Sequence, residues 1–280
     1  MSLVTAVLAG ELTPIMERAW ERLADDTGAA PFVHPGWVHA WAGRRRLTLI
    51  TAGPVNGHGA VLPMVRSAGT LATPTDWHSP VFEAAATDES ALGDLAAELA
   101  NSGAHRIVLG FLDAGEPTFR VLRSELDRAG FALECRPRME SPFIDLSNGW
   151  DDYHQSLPAK KRSELRRRRR RLSETGRVTV EVYDGGGNLA DLLTDGFAVE
   201  AASWKGGEGT AITSDPGTER LYREAAHWAA AKGWLRLAFL RVDGTPIAFD
   251  YCIQDDRRHY LLKTGYDPAY REFSPGSLLR

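Results

Sequence analysis

The stretch that decides the fold is GWLRLAFLRVDGTPIAFDYCIQDDRRHYLLKTGYDPAYREFSPGSLLR, residues 233–280. Three runs within it, 234–242, 246–254 and 258–266, are rich in aliphatic and aromatic residues and read as strands. Asp243-Gly244 supplies a hairpin turn, and Asp255-Asp256-Arg257 supplies a second one. Strands joined this closely are antiparallel neighbours. A loop follows, and then Pro275-Gly276-Ser277-Leu278-Leu279, the start of an apolar helix.

Working outward, Gly233 stops a helix over 217–232. Asp215-Pro216 provides its cap and first-turn proline, and Leu221, Ala225, Trp228 and Ala229 share one face. Before it stand a helix over 189–203, capped by Asn188 after the DGGGN turn, and a β-branched strand, Val178–Tyr183. The order is β-α-α-β-β-β. Residues 151–157 and 159–173 read as helices. The earlier half alternates: a helix from Thr13, a short helix around Trp37–Trp41, strands at Leu47–Thr51 and Ala60–Val65 flanking the Asn56-Gly57 turn, and a helix over 90–100. A strand at Arg106–Leu109, a helix over 117–129 ended by Gly130, and strands at Phe131–Cys135 and Phe143–Leu146 complete it. A boundary is expected at Ser147-Asn148-Gly149, which gives domains 1–147 and 148–280.

The 280 residues carry 33 Lys+Arg against 37 Asp+Glu, a net charge of −4. This composition excludes a disordered chain and a disulfide-stapled mini-domain. Cys135 and Cys252 are too few for a disulfide framework or a four-cysteine metal site. No run approaches the ~18 apolar residues of a membrane span, and Met1–Gly10 has no basic n-region. A cytoplasmic location is therefore expected. The charge is concentrated: residues 160–171, KKRSELRRRRRR, hold nine Lys/Arg and one Glu. Six consecutive arginines, Arg166–Arg171, circle the helix, so most are solvated. An anionic ligand there is one reading and a plain basic helix the other. Without interleaved aromatics an RNA-reading surface is not expected, nor is a DNA partner. The eight histidines form no HExxH spacing, and no metal is expected. No nucleophile elbow or Walker loop is present.

The order β-α-α-β-β-β followed by a loop and helix resembles the GNAT acyltransferase fold, in which that last helix holds the pyrophosphate of coenzyme A. A diphosphate needs backbone N–H donors at the positive end of a helix, and glycine lets the backbone approach closely. The usual loop reads Q/R-x-x-G-x-G/A. Here Arg271 and Gly276 match its ends, Ser274 replaces the middle glycine, and Pro275 removes one donor. Longer stretches narrow the likeness: EAASWKGGEGTAI at 200–212, YLLKTGYDPAYREFSPGSLL at 260–279, PFVHPGWVHAWA at 31–42 and TDWHSPVFE at 75–83. These resemble the CelD/BcsL-type acetyltransferases, which are related to the FemAB transferases and built from two GNAT-like halves.

The resemblance implies an α/β (α+β) chain of tandem GNAT-like halves, each a mostly antiparallel central sheet flanked by helices. The second half would be incomplete at its C-terminus, because a GNAT domain continues beyond this helix. It implies acetyl-CoA or another acyl-CoA as co-substrate and an amine or hydroxyl acceptor, a small molecule or saccharide of the cell envelope or an exopolysaccharide. Leu262, Lys263 and Thr264 on the last strand, with Arg271, Ser274, Gly276 and Ser277, are the expected cofactor residues. Trp204 and Lys205 are expected at the acceptor. Candidates for acid–base work are Asp250, placed opposite the apolar face of its strand, Glu200, Tyr266 and Asp267. Each has a structural alternative: a solvated strand face, a helix-end ion pair, turn chemistry. Two rival functions are a FemAB-like transferase using aminoacyl-tRNA and a non-catalytic scaffold in polysaccharide synthesis.

Overall fold

The computed structural model describes residues 12–53, 59–203 and 209–280. The chain forms two compact units, Met1–Met139 and Glu140–Arg280. The fold is mixed α/β, with two sheets flanked by helices. Trp204, Lys205 and the Asn56-Gly57 turn lie outside the described residues.

In the first unit α1 spans Pro14–Thr27, α2 Pro35–Ala42, β1 Leu47–Ala52, β2 Ala60–Ser67, β3 Thr70–Ala72 and β4 Ala85–Ala86. α3 (Glu89–Ala100), β5 (Arg106–Val108) and α4 (Pro117–Arg128) follow. The sheet runs β1-β2-β3-β5, with β4 also paired to β2. Only the β3–β5 pair in it is parallel. Caps fix the helix ends: the Thr13 hydroxyl accepts from Met16 N–H, and the Asp88 carboxylate from Ala91 N–H at 2.8 Å. Gly28 closes α1 at φ +60°, a left-handed conformation that glycine adopts without a Cβ clash. The core is continuous from Trp20 and Leu23 through Leu49, Leu62 and Met64 to Leu95, Leu99 and Leu122.

The second unit opens with α5 (Trp150–Ser156), α6 (Ala159–Ser173), β6 (Val178–Tyr183), α7 (Leu189–Ala202) and α8 (Pro216–Ala231). Strands β7 (Leu235–Val242), β8 (Thr245–Gln254) and β9 (His259–Tyr266) follow, and a 3-10 turn at Pro268–Phe273 enters α9, Pro275–Leu279. The sheet order is β6-β7-β8-β9, antiparallel throughout. The β7–β8 hairpin turns through Asp243 at φ +50° and Gly244 at φ +82°, the paired left-handed geometry of a primed turn.

Two expected strands are absent. Phe131–Cys135 and Phe143–Leu146 form no ladder, and Phe143 is 87% exposed. β propensity expresses packing against neighbours, and among the described residues no strand of either sheet pairs with these runs. Asn188 does precede α7, but its side chain donates to the Asp191 carboxylate instead of accepting a backbone N–H.

Candidate functional site

The sheet of the second unit sorts the expected residues by face. Residues directly opposite in antiparallel strands share a face. Asp250 pairs with Ala238 on β7 and with Thr264 on β9, and Ala248 pairs with Tyr266. Asp250, Thr264 and Tyr266 therefore lie on one side. α9 covers it, and Phe273, Leu278 and Leu279 pack there with Leu172 of α6. Phe249 and Tyr251 point to the other side, against α7 and α8. The Tyr251 hydroxyl donates to the Tyr222 carbonyl at 3.1 Å.

Asp250 is buried and has a built countercharge. Arg280 Nε donates to its Oδ2 at 3.0 Å, and an Arg280 Nη donates to the Thr264 hydroxyl at 2.6 Å. Its neighbour Cys252 has a thiol pKa raised above the ordinary range, by burial first and by the Asp250 charge second. Burial likewise raises the Tyr251 phenol. Desolvation lowers the His259 imidazole, and the Asp250 charge pulls it the other way.

Glu200 sits across the sheet from Asp250. It is fully buried, and its Oε2 accepts the Ile212 N–H at 2.9 Å. The helix carrying it presses onto β9: a Cβ at Gly265 would lie 2.4 Å from Glu200 Cα. Lys263, opposite Tyr251, holds its ammonium 5.4 Å from the Tyr222 ring. Asp267 caps the following turn, its Oδ1 accepting the Ala269 N–H at 2.9 Å. The structure thus groups Asp250, Thr264 and Tyr266, and separates them from Glu200 and Lys263.

The closing segment follows β9 directly. Ser274 takes φ +50°, ψ +59°, the left-handed conformation that glycine adopts most easily. Its carbonyl accepts the N–H groups of Ser277 and Leu278, at 2.9 and 3.2 Å. Gly276 N–H stands in the first turn of α9, where a helix has no carbonyl of its own to offer. Arg271 is exposed beside it. α6 braces this segment: Arg171 pairs with Glu272, and its guanidinium lies 5.5 Å over the Phe273 ring. Arg168 pairs with Glu164. Arg166, Arg167, Arg169 and Arg170 remain exposed.

One feature of β9 has no sequence signal. The register shifts between Tyr251 and Cys252, whose partners are Lys263 and Leu261. Leu262 is therefore the extra residue of a bulge, a device that leaves backbone groups out of the ladder and recurs beside active sites. No glycine marks it, so the strand pattern of YLLKTGY hides it. The second hidden feature is Arg280, whose pairing with Asp250 is a tertiary contact across 30 positions.

Residues 159–280 match the family model described as an acetyltransferase (GNAT) domain. A solved structure described as a conserved protein of unknown function from Bacteroides thetaiotaomicron VPI-5482 is similar over 99% of this chain and 84% of its own. Its identity is 14% and its TM-score 0.51, a likeness of fold. No curated protein matches. The family match and the β-α-α-β-β-β-turn-helix order together support an acyltransferase-type function for the second unit. Among the described residues no helix is long and apolar enough to cross a membrane.

Proposed function

We propose that the chain is an acyl-CoA-dependent acyltransferase, with β9 and the turn into α9 as its cofactor site. The observation that carries this reading is the path of one segment. β9 ends the sheet order, so among the described residues one of its edges pairs with no further strand; such an edge suits the amides of an extended pantetheine arm, as an added strand would. It bulges at Leu262, where a freed backbone N–H suits a thioester carbonyl whose oxygen becomes an oxyanion. It then runs into the Ser274–Ser277 turn, where Gly276 N–H and the helix end suit a diphosphate.

In this mechanism an amine or hydroxyl of the acceptor attacks the thioester carbon directly. The acceptor proton leaves to a base, the tetrahedral intermediate collapses, and CoA departs as the thiolate. Holding both reactants in line lowers the barrier by up to about 7–11 kcal/mol. Asp250, on the same face as Tyr266 and tethered by Arg280, is the carboxylate we assign as that base. Glu200, buried behind the sheet on the Ile212 amide, holds the α7–α8 connection. Trp204 and Lys205 in that connection are retained as acceptor residues. The acceptor class is a small molecule or saccharide of the cell envelope.

A second reading, transfer from aminoacyl-tRNA, is favoured by one observation, the exposed Arg166, Arg167, Arg169 and Arg170. Calorimetry with acetyl-CoA, paired with a tRNA retention assay, separates the two. Micromolar binding of acetyl-CoA with release of free thiol in the presence of an amino-sugar panel supports the first. tRNA retention without acetyl-CoA binding replaces it with the second. Binding of neither leaves a scaffold role.

A further inference from the structure

In the first unit, outside the site described above, two carboxylates and a buried imidazole converge. Glu21 and Asp25 stand one turn apart on the same face of α1. His34, 1% exposed, faces both: its Nδ1 lies 3.5 Å from Glu21 Oε1 and 3.9 Å from Asp25 Oδ1. Its Nε2 lies 3.3 Å from the Ala29 carbonyl oxygen. A carbonyl only accepts, so Nε2 carries the hydrogen, and the lone pair of a neutral ring is then on Nδ1. An acceptor nitrogen and two carboxylates converging in this way form a donor set that one shared cation can bridge. A backbone carbonyl on the remote nitrogen is also the usual orienting contact of a metal-binding histidine.

We propose that Glu21, Asp25 and His34 form a binding site for a divalent transition-metal ion of the zinc class. One imidazole with two carboxylates suits zinc or its neighbours better than the all-oxygen shells of magnesium and calcium. The three ligand atoms lie within 4.8 Å of one another. Bonds of about 2.0–2.2 Å to a central ion need somewhat closer spacing, which rotation of the partly exposed Glu21 and Asp25 side chains supplies. The imidazole is already fixed. Trp20 Nε1 donates to the Val33 carbonyl at 2.9 Å, and the Ala30 N–H donates to Glu83 at 2.6 Å, so the 29–34 turn is bolted to its surroundings. Three protein ligands leave the remaining positions to water, and the ion ties the end of α1 to the turn that opens α2.

The test titrates zinc chloride into chelator-treated full chain by calorimetry, with magnesium chloride in parallel and cobalt(II) absorption as an independent readout. One zinc equivalent at micromolar affinity, without comparable magnesium binding, is expected. The double variant Glu21→Gln/Asp25→Asn, changed only on the accessible side of α1, keeps its fold and loses about 10–100-fold or more in zinc affinity. His34→Asn removes the site, and circular dichroism reports whether that variant folds. The proposal is overturned by absence of one-equivalent binding, or by unchanged affinity in the folded double variant. It is also overturned if nitrogen NMR shows both His34 ring nitrogens protonated at neutral pH and unmoved by zinc, which makes the central cation a proton.

Discussion

Arg280 holds Asp250 in place: Nε to Oδ2 is 3.0 Å, with the carboxylate 5% exposed and the guanidinium 49% exposed. The asymmetry in burial sets which loss hurts more. Without Arg280 a buried carboxylate loses its guanidinium donors; without the carboxylate the half-exposed guanidinium turns to water. Arg280→Met is expected to cost about 1–3 kcal/mol, and Asp250→Asn, which still accepts from the guanidinium, less. Urea unfolding of the two variants measures the difference; an equal or reversed order would remove the claim that the pair serves the carboxylate.

Two glycines let α7 lie on the sheet. A Cβ at Gly265 would come 2.4 Å from Glu200 Cα, and one at Gly196 2.4 Å from the Phe249 ring. Backbone cannot swing aside as a side chain can, so Gly265→Ala must push the helix off β9. We expect a loss of about 1–3 kcal/mol with α7 amides exchanging faster. Gly196→Ala meets a ring inside a packed core and should cost a similar amount. Thermal melts with hydrogen exchange on both variants test this; unaltered α7 protection in Gly265→Ala contradicts the packing described.

Much of this was legible in residue pattern alone. The β-α-α-β-β-β order rests on turn residues with one mechanism each, such as Asp243-Gly244 and Asp215-Pro216, and these act locally. Ser274 standing where a glycine is usual was visible too, and it takes the glycine-like conformation. What stayed hidden depends on distant partners. Phe131–Cys135 and Phe143–Leu146 have strand composition, yet a strand exists only where another edge meets it. The bulge at Leu262 needs the register of β8 against β9. The grouping of Asp250 with Arg280, and its separation from Glu200 by the sheet, follow from tertiary packing that spacing does not encode. The Glu21–Asp25–His34 group escaped because its ligand spacing matches no short motif.

The Glu181 carboxylate should make stability depend on acid. The Tyr183 hydroxyl donates to it at 2.6 Å and Arg241 at 2.9 Å, and the tyrosine bond is the larger cause of a pKa below the ordinary 4.5. A folded-state value under the unfolded one means that the unfolded chain binds the proton more readily. The contribution is then complete above about pH 4.5 and disappears as pH falls through the lowered folded value. Glu181→Gln is expected to be less stable than the parent at pH 7, with the gap closing toward pH 3. Equal stability of the two chains at pH 7 would refute it.

The cofactor reading makes its sharpest demand on Gly276. Within the protein a Cβ there meets only the end of the Arg280 side chain, at 3.9 Å, and Gly276 has no positive φ. Alanine is therefore accommodated without strain, and in a helix it is favoured over glycine by about 1 kcal/mol. A methyl group does, however, occupy the space through which a diphosphate must approach the backbone. Gly276→Ala should keep or slightly raise the melting temperature while weakening acetyl-CoA binding at least tenfold. Ser274→Gly, which relieves a left-handed serine and adds no atoms, should raise stability and leave binding intact. Calorimetry and melting on the two variants give four readings, and full acetyl-CoA affinity in Gly276→Ala would place the diphosphate elsewhere.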